Sequence, residues 1–220
     1  EYLSSPGLDV QIRAAVEEAA SILEKNGAQI TDVSIPLADY AVAAYYIVST
    51  AEASANLARY DGVKFGYRSQ GADSLLQTYK RTRRDGFGAE VKRRIIIGTY
   101  VLSSGYYEAY YRKAQKVRTL LRNNLKEIFS RVDLILLPVA PSAAFRLGEK
   151  IDDPLAMYLS DIFTIPSNLC GIPSASVPIS KTSGGLPVGV QLMADYLGET
   201  KIFTAASTLE NYGIRNGNRA

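Results

Sequence analysis

Histidine and tryptophan are absent from this 220-residue sequence, and it holds one cysteine, Cys170, and two methionines, Met157 and Met193. Without histidine there is no Ser-His-Asp or Cys-His catalytic set and no histidine-based zinc site within the chain. A single cysteine excludes an intramolecular disulfide and any Cys-x-x-Cys metal or redox motif. No apolar run approaches the roughly 20 residues that a membrane-spanning helix needs, and no signal-peptide core opens the chain. Neither a G-x-x-x-x-G-K-[ST] loop nor a G-x-G-x-x-G turn is present, so the standard nucleotide cradles are excluded. A net charge of +3 is too small to imply nucleic-acid binding by itself. Together these features suit the bacterial cytoplasm or an organelle matrix. The first residue is Glu1, which implies that the natural start lies upstream.

What is present is the composition of a globular protein, 47% hydrophobic and 21% charged. Ile12, Val16, Ala19 and Leu23 recur at helical spacing, which with Asp9 as N-cap and Gly27 as stop predicts a helix over 9–26. A strand over 28–35 is expected next, closed by Pro36. Helices are expected over 37–61, 74–84, 88–101 and 104–131, with a glycine-rich loop over 63–72. In the last of these, Val117, Leu120, Leu121, Leu125 and Ile128 form the expected buried side. The run Leu134–Leu137 reads as a buried strand, 155–162 as a short helix and 198–212 as the final helix. Ala175–Ile179 and Val188–Met193, separated by Lys181–Gly185, read as a hairpin. With no linker or repeat, the chain reads as one unit of α/β class.

Four groups of residues carry candidate chemistry. Lys80, Arg81, Arg83, Arg84, Lys92, Arg93 and Arg94 form a basic cluster, interrupted by Asp85 and Glu90, that suits either a phosphate-binding surface or a solvated helix face. Arg94 precedes Ile95-Ile96-Ile97, so an inward guanidinium in need of an anion, either structural or from a ligand, is expected. Tyr106/Tyr110 and Tyr107/Tyr111 are i,i+4 pairs, with Tyr45 and Tyr46 upstream; core and interface packing is the expected role for most. Asp152 and Asp153 before Pro154 are turn and capping residues. Asp161 lies among Leu159, Ile162 and Phe163, where an unpaired carboxylate is costly and a cationic partner is expected. Cys170, within Asn168–Pro173, has no histidine to activate it and reads as a small buried filler.

The stretches Ala51–Gly62, Gly86–Ile95, Leu102–Tyr107 and Leu186–Gln191 resemble the amidase-signature family, in its branch of glutaminase subunits of tRNA-dependent amidotransferases. The arginine-bearing and Ser-Gly-Tyr segments carry the branch; Pro187-Val188-Gly189-Val190-Gln191 is shared more widely. Val139 and Cys170 depart from the usual pattern.

The resemblance implies that residues 1–220 are the C-terminal portion of one amidase domain, built on a mixed central β-sheet flanked by α-helices. The family's serine nucleophile, bridging serine and lysine belong to a signature that the resemblance places upstream, so no catalytic residue is expected here and the chain alone is expected to be inactive. By the same resemblance, Arg94 pairs with the α-carboxylate of glutamine, Asp161 with its α-ammonium, and Tyr45 lines the pocket. Implied partners are the missing N-terminal half, amidotransferase subunits B and C, and, through the complex, Glu-tRNA(Gln). No cofactor is expected in this chain; ATP and Mg²⁺ would be used at a partner subunit. The rival readings are a different amidase-signature amide hydrolase and a non-catalytic basic helical module that binds RNA or protein.

Overall fold

The computed structural model describes residues 1–5, 7–150 and 153–215. The expectation for Asp152 falls outside them. The chain divides into two compact units, Glu1–Val42 with Arg118–Ala220, and Ala43–Val117.

In the first unit the Asp9 carboxylate accepts a hydrogen bond from Gln11 N at 2.8 Å and starts helix α1, Val10–Lys25. Capping of this kind satisfies a backbone donor that has no partner within the helix. The helix stops where Gly27 adopts φ +97°. There Gly27 N donates to Glu24 O at 2.9 Å and Ala28 N to Leu23 O at 3.1 Å, the paired bonds of a Schellman ending. Ile12, Ala15, Val16, Ala19 and Ile22 are buried on one stripe, as 3.6-residue periodicity requires.

Three strands form one antiparallel sheet in the order β1-β3-β2: β1 Ile135–Pro138, β2 Ser174–Lys181 and β3 Pro187–Met193. The β2–β3 hairpin closes through Thr182–Gly185, with Thr182 N bonded to Leu186 O at 2.8 Å and Gly185 at φ +82°. Pro178 cannot donate to a ladder, and the register shifts between Pro178 and Ser180. On one sheet face Val177, Ile179, Val190 and Leu192 pack with Val16, Ala19 and Ile22 of α1 and with Ile202, Ala205 and Leu209 of the last helix, α8, Glu199–Arg215. Full burial of such side chains contributes about 1.5–3 kcal/mol each. Two short helices, Pro154–Leu159 and Ile165–Cys170, precede β2; the second was not legible as a helix from the Gly/Pro-rich segment that contains it. Gly171, at φ +73°, ends it.

The expected strand over 28–35 does not form. These residues carry no regular secondary structure, and among the described residues no strand pairs with them. A strand exists only where its backbone groups find a partner ladder, and the periodicity of one segment does not supply that. The expected mixed sheet is represented by its antiparallel strands.

The second unit is helical. It takes in most of a helix spanning Ala38–Leu57, which stops short of residue 61, then Leu75–Gly86 and Ala89–Val101. The helix expected over 104–131 is broken at its start: Gly105 turns at φ +86° and Tyr107–Tyr111 form a π-turn before the α-helix Arg112–Phe129. Leu121, Leu125 and Ile128 are buried, whereas Leu120 is 55% exposed, being about 100° around the helix from Leu121.

In chain order the helices not yet labelled are α2 Ala38–Leu57, α3 Leu75–Gly86, α4 Ala89–Val101, α5 Arg112–Phe129, α6 Pro154–Leu159 and α7 Ile165–Cys170.

Candidate functional site

Tyr45 stands on α2 and Arg94 on α4, both in the second unit. The two helices meet closely because Gly98 has no side chain: a β-carbon there would overlap the Thr50 carbonyl oxygen and lie 2.7 Å from Ser54 Cβ. Ser54 Oγ and Thr99 Oγ1, at 3.0 Å, join the helices beside this contact. About one turn away along each helix, the Arg94 guanidinium donates to the Tyr45 hydroxyl. Arginine has no acceptor, so the direction of that bond is fixed. Tyr45 is itself held edge-on against Tyr46, with ring centroids 5.1 Å apart.

Glu90, one turn before Arg94, holds the guanidinium from the other direction. Its Oε1 accepts from Arg94 Nε at 2.9 Å, and its Oε2 accepts from Arg93 Nη1 at 2.7 Å. The bond from Glu90 and then that with Tyr45 raise the Arg94 pKa above its ordinary value, against the opposing effect of burial. The result is a fixed cation. Arg94 is only half-buried rather than inward, with its side chain 35% exposed, and the anion it was expected to need is a structural one, Glu90 of its own helix. Glu90 was visible in the sequence only as an interruption of the basic run, although its i,i+4 spacing to Arg94 was the available signal.

Asp161 lies in the first unit, between α6 and α7. It is exposed, which corrects the expectation of a costly buried carboxylate; Phe163, two residues on, carries the burial instead. The Asp161 carbonyl accepts from Thr164 N at 3.0 Å and Ile165 N at 3.1 Å, which shapes the turn. The segment is anchored from below by Gln191 of β3, whose buried Nε2 donates to Phe163 O at 2.9 Å. Tyr2 meets the Phe163 ring edge-on at 5.1 Å. Asp153 caps α6 as expected, accepting from Ala156 N at 3.0 Å.

The basic cluster is largely committed to internal contacts. Arg81 donates to Gly71 O, Arg83 to Ala58 O at 2.8 Å, and Lys92 to Arg84 O at 2.6 Å. Arg84 pairs with Asp85 at 2.6 Å and Arg93 with Glu90 at 2.7 Å. These contacts fasten helix ends and the 58–74 loop, so most of the cluster is not a free cationic face. The tyrosine pairs do stack, at 5.9 Å for Tyr106/Tyr110 and 5.2 Å for Tyr107/Tyr111. Tyr106, Tyr107 and Tyr110 are exposed rather than part of a core.

Cys170 is buried at the end of α7, and burial pushes its thiol up to about 11 against the lowering effect of Arg122 and Arg118. It is the inert filler its surroundings suggested. Its neighbours serve the helix end: Arg118 Nε donates to Leu169 O at 2.7 Å and the Tyr196 hydroxyl to Cys170 O. Among the described residues no group of three or more acidic or cysteine side chains is arranged to hold a metal ion. No helix among them is long and apolar enough to cross a membrane.

The chain belongs to the amidase family, whose model matches residues 2–203. Within that family it is 55% identical over 204 residues to the A subunit of glutamyl-tRNA(Gln) amidotransferase from Geobacter sp. (strain M21), covering 93% of this chain and 42% of that protein. It is also 55% identical over 210 residues to the protein of the same name from Desulfosudis oleivorans, covering 96% of this chain and 43% of the relative. The chain thus spans less than half the length of these relatives and matches a C-terminal portion of them. Among solved structures, the corresponding amidotransferase protein from Thermotoga maritima superposes with a TM-score of 0.70 at 40% identity, over 96% of this chain and 40% of that one. A 6-aminohexanoate cyclic dimer hydrolase, 18% identical with a TM-score of 0.70, covering 96% of this chain and 43% of its own, shares the fold.

Proposed function

We propose that this chain is the substrate-recognising portion of a glutaminase subunit that releases ammonia from glutamine for the conversion of Glu-tRNA(Gln) to Gln-tRNA(Gln). The observation that carries the reading is the fixed cation: Glu90 and Tyr45 orient Arg94 while its side chain stays 35% exposed. A guanidinium so held is pre-set to receive a carboxylate in a planar, two-point contact. The high identity to proteins named for this amidotransferase supports glutamine as the bearer of that carboxylate. Asp161, exposed and acidic, is assigned to the α-ammonium.

In the complete glutaminase the nucleophilic serine, which lies outside this chain, attacks the side-chain amide carbon of glutamine. Ammonia leaves as the carbon–nitrogen bond breaks, and water then releases glutamate from the acyl-enzyme. The ammonia would pass to a partner subunit that amidates Glu-tRNA(Gln), and ATP and Mg²⁺ would be used at that subunit. This chain contributes binding and orientation, not the nucleophile. The reading is tested by ammonia release: the 220-residue chain alone is expected to release none above background, and the complete subunit to release it at an enzymatic rate. Glutamine hydrolysis by the chain alone would overturn the division of labour.

A further inference from the structure

Lys150 stands between a tight turn and helix α6. In the turn, Arg146 O accepts from Glu149 N at 3.1 Å, and Gly148 holds the third position at φ +89°, a conformation that glycine adopts without strain. The Glu149 carboxylate accepts from Arg146 N at 2.8 Å and closes the turn from its side chain. Phe145 and Lys150 flank the turn on either side. The Lys150 ammonium lies 4.4 Å from the centre of the Phe145 ring, a cation–π contact.

From this place Lys150 holds α6 at both ends. Its carbonyl accepts from N of the N-cap residue, Asp153, at 3.4 Å. Its Nζ donates to the hydroxyl of the C-cap residue, Ser160, at 2.8 Å. That hydroxyl donates in turn to Ala156 O at 3.0 Å, one of the last four carbonyls, which a helix leaves without an internal partner. A cation at this end also suits the partial negative charge of the helix terminus. The helix needs such ties, because its six residues are too few for a stable isolated helix. Met157 and Leu159 are exposed, and among the described residues no other helix or strand packs broadly on α6.

We propose that Lys150 is a positioning residue for the ammonium-binding end of the site: by clamping α6 it sets the place of Asp161, the residue directly after Ser160. The proposal rests on the assignment of Asp161 to the α-ammonium of glutamine. Asp161 N donates to Tyr158 O of α6 at 3.2 Å, so the position of the helix passes directly to that residue. No ion pair joins Lys150 to Asp161 among the described residues. Lys150 therefore places the carboxylate without neutralising it, its own ammonium being engaged by Ser160 and the Phe145 ring. A binding group is only as well placed as the residues that hold it.

The test compares Lys150→Met, Lys150→Arg, Asp161→Ala and the double variant Lys150→Met with Asp161→Ala in the complete subunit. Lys150→Met keeps a long side chain without its donor. It should raise KM for glutamine about tenfold and leave kcat within about twofold, the pattern of lost ground-state binding. Lys150→Arg, still a cationic donor, should keep KM within about threefold of the parent. Added to Asp161→Ala, Lys150→Met should change KM by less than about twofold, because the group it positions is gone. Hydrogen exchange at the Ser160 and Asp161 amides should quicken about tenfold in Lys150→Met while α1 amides stay protected. An unchanged KM in Lys150→Met beside a raised one in Asp161→Ala would overturn the proposal. So would effects that multiply in the double variant, or unaltered exchange at Ser160 and Asp161. Quickened exchange with KM unchanged in both single variants would overturn the assignment of Asp161 to the ammonium, and the proposal with it.

Discussion

Gly98 of α4 lies against the Thr50 carbonyl of α2 so closely that any β-carbon at position 98 would overlap it. This contact sets the spacing of the two helices, and the Tyr45–Arg94 hydrogen bond depends on that spacing. Gly98→Ala is therefore expected to cost about 1–3 kcal/mol of stability or more, because a backbone carbonyl cannot yield as a flexible side chain can. Gly184→Ala, whose β-carbon would meet only Thr182 Oγ1 at 3.7 Å, should stay within about 0.5 kcal/mol of the parent. Urea denaturation of the three proteins measures both, and equal midpoints would contradict the close-approach account.

Gln191 joins the shared Pro-Val-Gly-Val-Gln strand to the segment that carries Asp161. Gln191→Ala strands the buried Phe163 carbonyl, which now accepts at 2.9 Å, and a stranded buried group costs about 1–3 kcal/mol. The loss should appear in urea denaturation. In the complete subunit, the KM for glutamine should also rise as the Asp161 turn loosens. A variant unchanged in both would show that the bond does not position that turn.

Much of the first unit was legible in the sequence because the deciding signals are local. Asp9 with Gly27 bounded α1, and Thr182–Gly185 between two β-rich runs specified the hairpin. What failed depended on groups far along the chain or absent from it. Residues 28–35 have strand composition, but a ladder needs a neighbour. Arg94 and Asp161 were judged by their sequence neighbours, and on a helix or in a tight turn adjacent residues point in different directions. Ile95 and Phe163 therefore reveal little about the burial of either charge. The break at Gly105 was hidden by the helical periodicity that follows it.

Cys170 is the only thiol, and its pKa is pushed up to about 11 by burial. At pH 8 it stays protonated and shielded, so it should react with a disulfide reagent far more slowly than a free cysteine in the folded chain and at once in urea. Rapid labelling of the folded protein would contradict its buried place at the end of α7.

Tyr100 bonds to Tyr106, with ring centroids 4.2 Å apart, and its hydroxyl pKa is pushed up to about 12 first by that hydrogen bond. The folded value lies above the unfolded one, so the stabilising contribution is complete below about pH 10. It fades as pH rises towards 12. Site-labelled NMR titration of the tyrosine ring carbon should show Tyr106→Phe returning Tyr100 towards its ordinary value. An unshifted titration in the variant would mean that the pair does not interact.

The central claim is that Arg94 and Asp161 hold the α-carboxylate and α-ammonium of glutamine. Its most direct measurement is kcat/KM of the complete subunit carrying Arg94→Ala or Asp161→Ala, for glutamine and for a simple neutral amide. A hydrogen bond to a charged group is worth about 1.5–3 kcal/mol, so each variant should lose about tenfold to a few hundredfold on glutamine. The slower hydrolysis of the neutral amide should hardly change. Equal losses on both substrates would make the residues structural, and undiminished glutamine turnover in both variants would contradict the account outright.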